Sequence, residues 1–196
     1  MTPTRVRLID AAARLLDEGG TTAVTLRAVG RLAGVSHNAP YKHFAGKEDL
    51  LAAVAARELG DRGARPDRSR AEPDARQLMH AYVRWALRYP ARFKLTFGAW
   101  SPGSAGSGIA DLAAAAAAAR SGLVAAVERG QAAGELPAGD PDRVAALALA
   151  VAHGAADLAL NGHLSPAGKG HARPQDLVDD LFDQLGRQLP ARCRCG

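Results

Sequence analysis

The stretch GVSHNAPYKHF, Gly34 to Phe44, has a composition that an ordinary surface helix lacks. It begins with a turn-forming glycine and a serine that can cap a helix. Polar and basic side chains then crowd around Pro40, with no acid among them. The carboxylate-free window is longer still, because it extends from Gly19 to Lys47. Such a surface suits a polyanion, since a carboxylate there would repel phosphates.

The residues on both sides of Gly34 predict a helix-turn-helix. One helix is expected over Thr25–Ala33, with Thr25 as its N-cap, and a second over Ser36–Phe44, with Ser36 as its N-cap. In this motif the second helix enters the major groove of DNA, with its N-terminal residues at the base edges. The alternative is a solvated basic surface on a helix-turn-helix that binds nothing.

The side chains of the second helix divide into predicted base readers and phosphate contacts. Asn38 can pair with adenine, His37 can donate to guanine, and Pro40 is small and apolar enough to meet a thymine methyl. Phe44 is predicted to be a core residue that holds this helix on the first. The predicted phosphate contacts each carry a hydroxyl, an imidazole or a cation: Ser36, Tyr41, Lys42, His43 and Lys47.

The rest of the chain shows helix-period patterns and no sustained strand alternation. We predict an all-α protein of about nine helices, with a three-helix DNA-binding domain at 1–50 and a larger helical domain at 51–196. The first helix is expected over about Thr4–Asp17, ended by Gly19 and Gly20. The last two helices are long and amphipathic.

Composition restricts the class of protein. Of the 196 residues, 47% are hydrophobic and the net charge is +5, which fits a folded domain with a polyanionic partner. The two cysteines, Cys193 and Cys195, lie in the last four residues, so we expect a core without disulfides, as in the cytoplasm. A lone C-x-C pair is a poor metal site, and neither a metal nor a cofactor is predicted. No secretory signal is seen at the N-terminus, and the longest apolar run, mostly alanine, is expected to be too short to span a membrane.

The segment TLRAVGRLAGVSHNAPYKHFAGKEDLLAAV, together with RLIDAAARLLDEGGTTAVTL before it, resembles the N-terminal domain of TetR (tetracycline repressor)-type transcriptional regulators. The resemblance covers about Arg5 to Val54. It implies an all-helical homodimer that binds DNA through this domain and a small effector through the larger one. It implies phosphate contacts from Thr25, Arg27, Ser36, Tyr41, His43 and Lys47, and base contacts from His37, Asn38 and Pro40.

The C-terminal part resembles the subgroup named for a Trp-His-Gly (WHG) signature, through YVRWALRYPARFKLTFG and VAHGAADLALNGHL. His153 and Gly154 match the signature, whereas Leu149 stands where tryptophan is expected. Six of the aromatic residues lie between Tyr82 and Trp100, in a chain that is only 5% aromatic. The predicted effector-binding residues, each with core packing as the alternative, are Trp85, Phe93, Phe97, Trp100 and His153.

Two further groups of residues were assigned from helical spacing. Arg84, Arg88 and Arg92 are expected on one helix face, which is either solvated or a site for an anionic effector. The apolar stripes of the last two helices are predicted to form a four-helix dimer interface, with packing inside the chain as the alternative. The predicted interface residues are Val151, Ala155, Leu158, Leu177, Leu181, Phe182 and Leu185.

The function predicted from these patterns is a ligand-responsive repressor that a small molecule releases from a palindromic operator. One rival is an enzyme built on His153, Asp157 and His163, but the sequence has no nucleophile motif, phosphate loop or paired histidines to support it. The other rival is a helical interaction module that does not bind DNA sequence-specifically.

Overall fold

A computed structural model describes residues 3–63, 72–98 and 106–187, with the side chains of 61–63 left out. The described residues fold mainly into helices and include no β-strand, which confirms the predicted fold class. One 3-10 turn lies over Pro40–Lys42. The α-helices described are α1 (Thr4–Ala23), α2 (Leu26–Leu32), α3 (Lys47–Gly63), α4 (Ala75–Arg88), α5 (Pro90–Thr96), α6 (Ser107–Ala132), α7 (Pro141–Leu160) and α8 (Pro174–Arg187).

The chain divides into two compact units. The first comprises Met1–Arg65 and Tyr89–Ala119, and the second comprises Pro66–Arg88 and Arg120–Gly196. Helix α6 therefore begins in the first unit and ends in the second. The predicted division at residue 50 remains a prediction.

The core of the first unit lies among α1, α2 and α3. Leu8, Val29, Leu50 and Val54 are fully buried there, and they come from the apolar stripes that the sequence shows at helical spacing. Phe44 joins them with only 2% of its surface exposed. The prediction that Phe44 packs the second half of the helix-turn-helix against the first is confirmed.

The predicted stop of the first helix is a kink. Gly19 has φ −147° and Gly20 has φ +66°, and neither conformation is helical. Helical structure resumes for a short stretch and ends at Ala23. The glycines thus interrupt the helix where expected, and the residues after them extend it.

The second helix of the predicted helix-turn-helix is much shorter than expected. Instead of an α-helix over Ser36–Phe44, the chain forms turns around the 3-10 segment Pro40–Lys42. The amides of Ala39, Lys42 and His43 donate to carbonyls three residues earlier, which is the 3-10 pattern. Pro40 lacks an N–H and so cannot supply an α-helical bond to Ser36. We call residues 36–44 the recognition segment.

In the second unit, α4, α7 and α8 pack against one another. Helix α4 begins with a reciprocal cap, in which the Asp74 carboxylate accepts from the amide of Gln77 at 2.7 Å and the Gln77 side chain accepts from the amide of Asp74 at 3.3 Å. Asp140 caps α7 by accepting from the amide of Asp142 at 3.0 Å. Since α4 ends at Arg88 and α5 begins at Pro90, Arg92 lies on another helix, and the single face predicted for the three arginines was wrong.

Helices α6 and α7 are long and apolar enough to cross a membrane by length and composition. This differs from the expectation drawn from the longest apolar run, because many alanines raise the mean hydropathy of a helix that continues well beyond that run. Two such helices are weak evidence for a membrane protein, since helices of soluble proteins meet the same criteria. In α7 the buried positions are all alanine, which allows close helix packing.

Candidate DNA interface and effector site

The turn between α2 and the recognition segment is fixed by three local features. The Thr25 hydroxyl accepts from the amide of Ala28 at 3.1 Å, so the predicted N-cap is confirmed. Gly34 has φ +63°, a left-handed conformation that glycine adopts without a steric penalty. Arg7 of α1 donates to the carbonyl oxygens of both Ala33 and Gly34. These contacts hold the turn against α1.

The recognition segment presents its polar side chains to solvent. Tyr41 is 61% exposed, and His43 is half-buried. The other predicted DNA contacts that are exposed are Thr25, Arg27, Ser36, His37, Asn38, Lys42 and Lys47. Within the described part of the chain, no hydrogen bond or ion pair engages the side chains of His37, Asn38, Tyr41, Lys42 or Lys47. Donors that are exposed and have no partner can bind an external acceptor such as a phosphate or a base edge.

Pro40 is the exception among the predicted base readers. It is fully buried, and a Cβ placed on Gly30 would approach its Cγ to 3.1 Å. A buried ring cannot contact a thymine methyl, so the assignment of Pro40 as a base reader was wrong. Pro40 instead packs the recognition segment against α2, and the small size of Gly30 makes room for it.

The effector residues predicted on α4 and α7 come together around Tyr82. The Tyr82 hydroxyl and His153 Nδ1 are 2.8 Å apart, and the Tyr82 and Trp85 ring centroids are 6.0 Å apart. Tyr82 itself is only 6% exposed and was not among the predicted effector residues. Its position three residues before Trp85 places both on one helix face, and that spacing was the signal available in the sequence.

The remaining predicted effector residues lie in the first unit or outside the described residues. Phe93 is in α5 and Phe97 directly follows that helix, with ring centroids 5.7 Å apart. Phe93 is buried, whereas Phe97 is 41% exposed. Trp100 lies outside the described residues. The five predicted residues therefore do not form one pocket within either unit.

An open groove of about 640 Å³ lies in the first unit, among α1, α3 and α5. Leu16, Leu51 and Leu95 form apolar walls, and Lys47 and Lys94 also line it. None of the predicted effector residues lines this groove. Its proximity to Lys47 places it beside a predicted phosphate contact.

The predicted dimer residues divide by exposure. Leu158 is 44% exposed, and Val151, Leu177 and Leu181 are half-buried. The other three, Ala155, Phe182 and Leu185, are at most 8% exposed. The chain itself already covers these three residues, so we correct their assignment to packing within the second unit.

A charged network joins α4 to α8. Arg76 lies 3.2 Å from the Asp179 carboxylate, and His80 Nε2 lies 2.9 Å from the same Asp179 oxygen. Arg76 also pairs with Asp183 at 2.5 Å. The hydrogen bond from His80, assisted by Arg76, lowers the pKa of Asp179 below its ordinary value. The network stabilises the packing of α8 on α4 while Asp179 is ionised.

Two histidines of the rival enzyme site have partners outside it. His153 pairs with Tyr82, and His163 lies 3.5 Å from Lys169 Nζ. In the ranges that the structure describes, no three His, Cys, Asp or Glu side chains are grouped as metal ligands. Cys193 and Cys195 lie outside the described residues.

Two protein families match the chain. The model of bacterial regulatory proteins of the tetR family matches residues 8–54, and that of the tetracyclin repressor-like C-terminal domain matches residues 75–189. The second match spans more than half of the chain. It does not test the Trp-His-Gly subgroup, which remains a prediction.

Individual proteins resemble the chain in sequence or in fold. A solved protein of unknown function from Rhodococcus sp. RHA1 is 32% identical, with a TM-score of 0.74 and 96% of each chain covered. The transcriptional regulator FadR from Bacillus subtilis, solved in complex with stearoyl-CoA, shares the fold at 15% identity, with a TM-score of 0.66 over 92% of this chain and 97% of FadR. The HTH-type transcriptional regulator BetI of Rhizobium meliloti is 34% identical over 99 residues, which span 49% of this chain and 48% of BetI. The chain belongs to the tetR family of bacterial regulatory proteins.

Proposed function

We propose that this TetR-family protein is a cytoplasmic, ligand-responsive DNA-binding transcriptional regulator, and that it represses from a palindromic operator. The observation that carries the proposal is the exposed, acid-free surface of the recognition segment. Apart from the half-buried His43, its polar side chains are exposed and lack hydrogen-bond or ion-pair partners within the described chain, and no carboxylate lies between Gly19 and Lys47. Its relatives are regulators rather than enzymes, which favours the same class here.

The side chains of this surface suit two kinds of DNA contact. Asn38 and His37 are at the start of the recognition segment and would meet base edges, where they can distinguish adenine and guanine. Tyr41, Lys42 and Lys47 would meet phosphates, which gives affinity without sequence preference. The short 3-10 geometry still presents these groups, because the buried Pro40 and Phe44 hold the segment on the core.

A homodimer would present two recognition segments to successive major grooves on one side of the DNA. The expected separation is one helical turn, about 34–36 Å. The exposed Leu158 and the half-buried Val151, Leu177 and Leu181 offer apolar surface for the partner subunit. This dimer would explain why an operator of two inverted half-sites is expected.

The second unit would bind a small molecule that has an aromatic or apolar part and a polar group. Tyr82, Trp85 and His153 supply rings together with a hydroxyl and an imidazole. A protein of the same fold holds stearoyl-CoA, which shows that the fold accommodates ligands. Release from DNA requires that the effector bind the non-binding conformation more tightly, since equal affinity for both conformations shifts nothing.

In-vitro selection from random DNA duplexes tests the proposal. We expect a palindrome to be recovered, with an affinity that falls steeply as salt rises. Small molecules that release the selected duplex would then identify the effector class. Mass spectrometry of the denatured protein shows whether the sample carries a bound small molecule. If the sample carries none and still selects no preferred sequence, the proposal is contradicted and a helical interaction module is favoured.

A further inference from the structure

One carboxylate links the end of the recognition segment to the beginning of α6. Asp49, in the first turn of α3, is only 4% exposed. Its Oδ2 accepts from the amide of Ala45 at 2.9 Å, and its Oδ1 accepts from the amide of Gly108 at 2.7 Å. Ala45 directly follows Phe44, whereas Gly108 is 59 residues further along the chain than Asp49. A charged acceptor with two amide donors makes strong hydrogen bonds in a buried setting.

The backbone of α6 approaches this carboxylate so closely that only glycine fits. A Cβ on Gly108 would lie 2.0 Å from the carbonyl oxygen of Asp49. A Cβ on Gly106 would lie 2.2 Å from Asp49 Oδ1, and Gly106 has φ +145°. The sequence therefore has glycine at both close approaches to Asp49, with Gly108 in α6 and Gly106 directly before that helix.

A second contact reinforces the same junction. Arg5 of α1 places its guanidinium 5.4 Å from the ring centroid of Phe44 and pairs with Asp111 of α6 at 2.6 Å. The ring that anchors the recognition segment is thus covered by a cation that is itself held by α6. Asp49 and Arg5 together connect residues 44 and 45 to the first two turns of α6.

We propose that Asp49 is a positioning residue for DNA recognition, through which the start of α6 sets the conformation of the recognition segment. This inference rests on the proposed function. Asp49 is buried and has both carboxylate oxygens engaged, so it acts on DNA through Ala45 and the residues before it. Helix α6 begins at this junction in the first unit and continues to Ala132 in the second unit.

The proposal is tested with Gly108→Ala, which alters the junction from the α6 side without touching the recognition segment. Gly122→Ala is the matched control, because Gly122 lies in the same helix and a Cβ there meets nothing within 4 Å. Asp49→Asn is the milder variant, since it keeps the size of the side chain but can accept from only one of the two amides. It decides the question if Gly108→Ala fails to fold.

Hydrogen exchange of the free full-length protein is the first readout. Loss of one charge-assisted hydrogen bond favours local opening by about tenfold to hundredfold, so exchange of residues 36–46 should accelerate by that factor in Gly108→Ala and in Asp49→Asn. Gly122→Ala should exchange there as the wild type does. Acceleration confined to α6, with residues 36–46 unchanged in both variants, would overturn the proposal.

DNA binding is the second readout, with the selected operator and a random duplex as probes. Asp49→Asn should weaken operator binding at least about tenfold more than random-duplex binding, because the base contacts of His37 and Asn38 need close placement, whereas the phosphate contacts of long cationic side chains tolerate displacement. An equal loss on both duplexes would indicate a merely structural role and contradict positioning. If the wild type selects no operator, the proposed function fails, while the exchange of residues 36–46 still decides whether Asp49 links them to α6.

Discussion

The recognition segment and the predicted effector cluster differ in how far their residues are separated along the chain. The predicted DNA-binding residues lie within a short stretch from Thr25 to Lys47, and all but Pro40 and His43 are exposed in the folded chain. The predicted effector residues come from α4, from α7 and from the region of α5, and Tyr82 of α4 meets His153 of α7 within the second unit. Local spacing suffices to define the first site, because one turn and two short helical elements fix it. The second depends on tertiary packing between distant helices.

The largest expected effect is on stability. It compares a buried residue that anchors the recognition segment with an exposed residue of the same unit. Phe44→Ala should lower the free energy of unfolding by about 3–5 kcal/mol, because Phe44 is 2% exposed and packs the recognition segment on the core. Phe97→Ala is the matched control, since its ring is 41% exposed, and a loss of less than half as much is expected. Chemical denaturation of both variants measures the difference. Equal losses would show that Phe44 does not anchor the segment.

The next effect concerns charge on the recognition segment. Lys42→Ala should weaken binding to operator and random duplexes alike, and should reduce the slope of log affinity against log salt by about 1. Lys169→Ala removes the same charge from a loop of the second unit, between α7 and α8. It should leave the slope unchanged. A larger loss of affinity for the operator than for the random duplex after Lys42→Ala would instead assign Lys42 to base reading.

A smaller effect on stability is expected in the second unit. Tyr82→Phe removes the hydroxyl that lies 2.8 Å from His153 Nδ1 and should cost about 0.5–1.5 kcal/mol of stability. If the two side chains act as a pair, Tyr82→Phe and His153→Ala together should destabilise by less than the sum of their separate effects. Thermal unfolding of the two single variants and the double variant provides the cycle. Additive losses would show that the contact contributes nothing as a pair.

The smallest effect involves the charged network between α4 and α8. Since the pKa of Asp179 is lowered in the folded state, its ionised form contributes stability above its unfolded pKa of about 3.9, and that contribution is lost as pH falls through the folded pKa. Wild type should therefore lose more stability than Asp179→Asn on acidification below about pH 4. Solvent screening keeps the difference small, because Asp179 is 43% exposed. Parallel pH profiles for the two proteins would contradict a depressed pKa.

The sequence predicted the helices well where periodicity and caps agree. Thr25, Gly34 and Lys47 mark boundaries that the structure retains, because each acts through its own backbone neighbourhood. The length of the recognition helix could not be predicted this way. Pro40 is compatible with an early α-helical position in sequence, but its burial against Gly30 in a 3-10 turn is a matter of packing.

The residues missed in sequence analysis are those with long-range partners. Asp49 reads as an ordinary acid in the first turn of a helix, where the helix dipole favours it. Its bond to Gly108 crosses 59 residues and has no local signature. Phe182 and Leu185 were assigned to the wrong partner. Their apolar stripe at helical spacing predicts burial, but it does not show whether the same chain or a partner subunit covers it, and the chain itself covers both residues.

The most direct test of the account is the affinity of wild type and Asn38→Ala for a panel of duplexes that changes the selected operator one base pair at a time. Asn38 is exposed and lacks a partner in the described chain, so it should discriminate by about 1–3 kcal/mol at one position in each half-site. Asn38→Ala is expected to lose discrimination at that position alone and to keep it elsewhere. A uniform loss across the panel, or no loss at any position, would contradict the claim that the recognition segment reads DNA sequence.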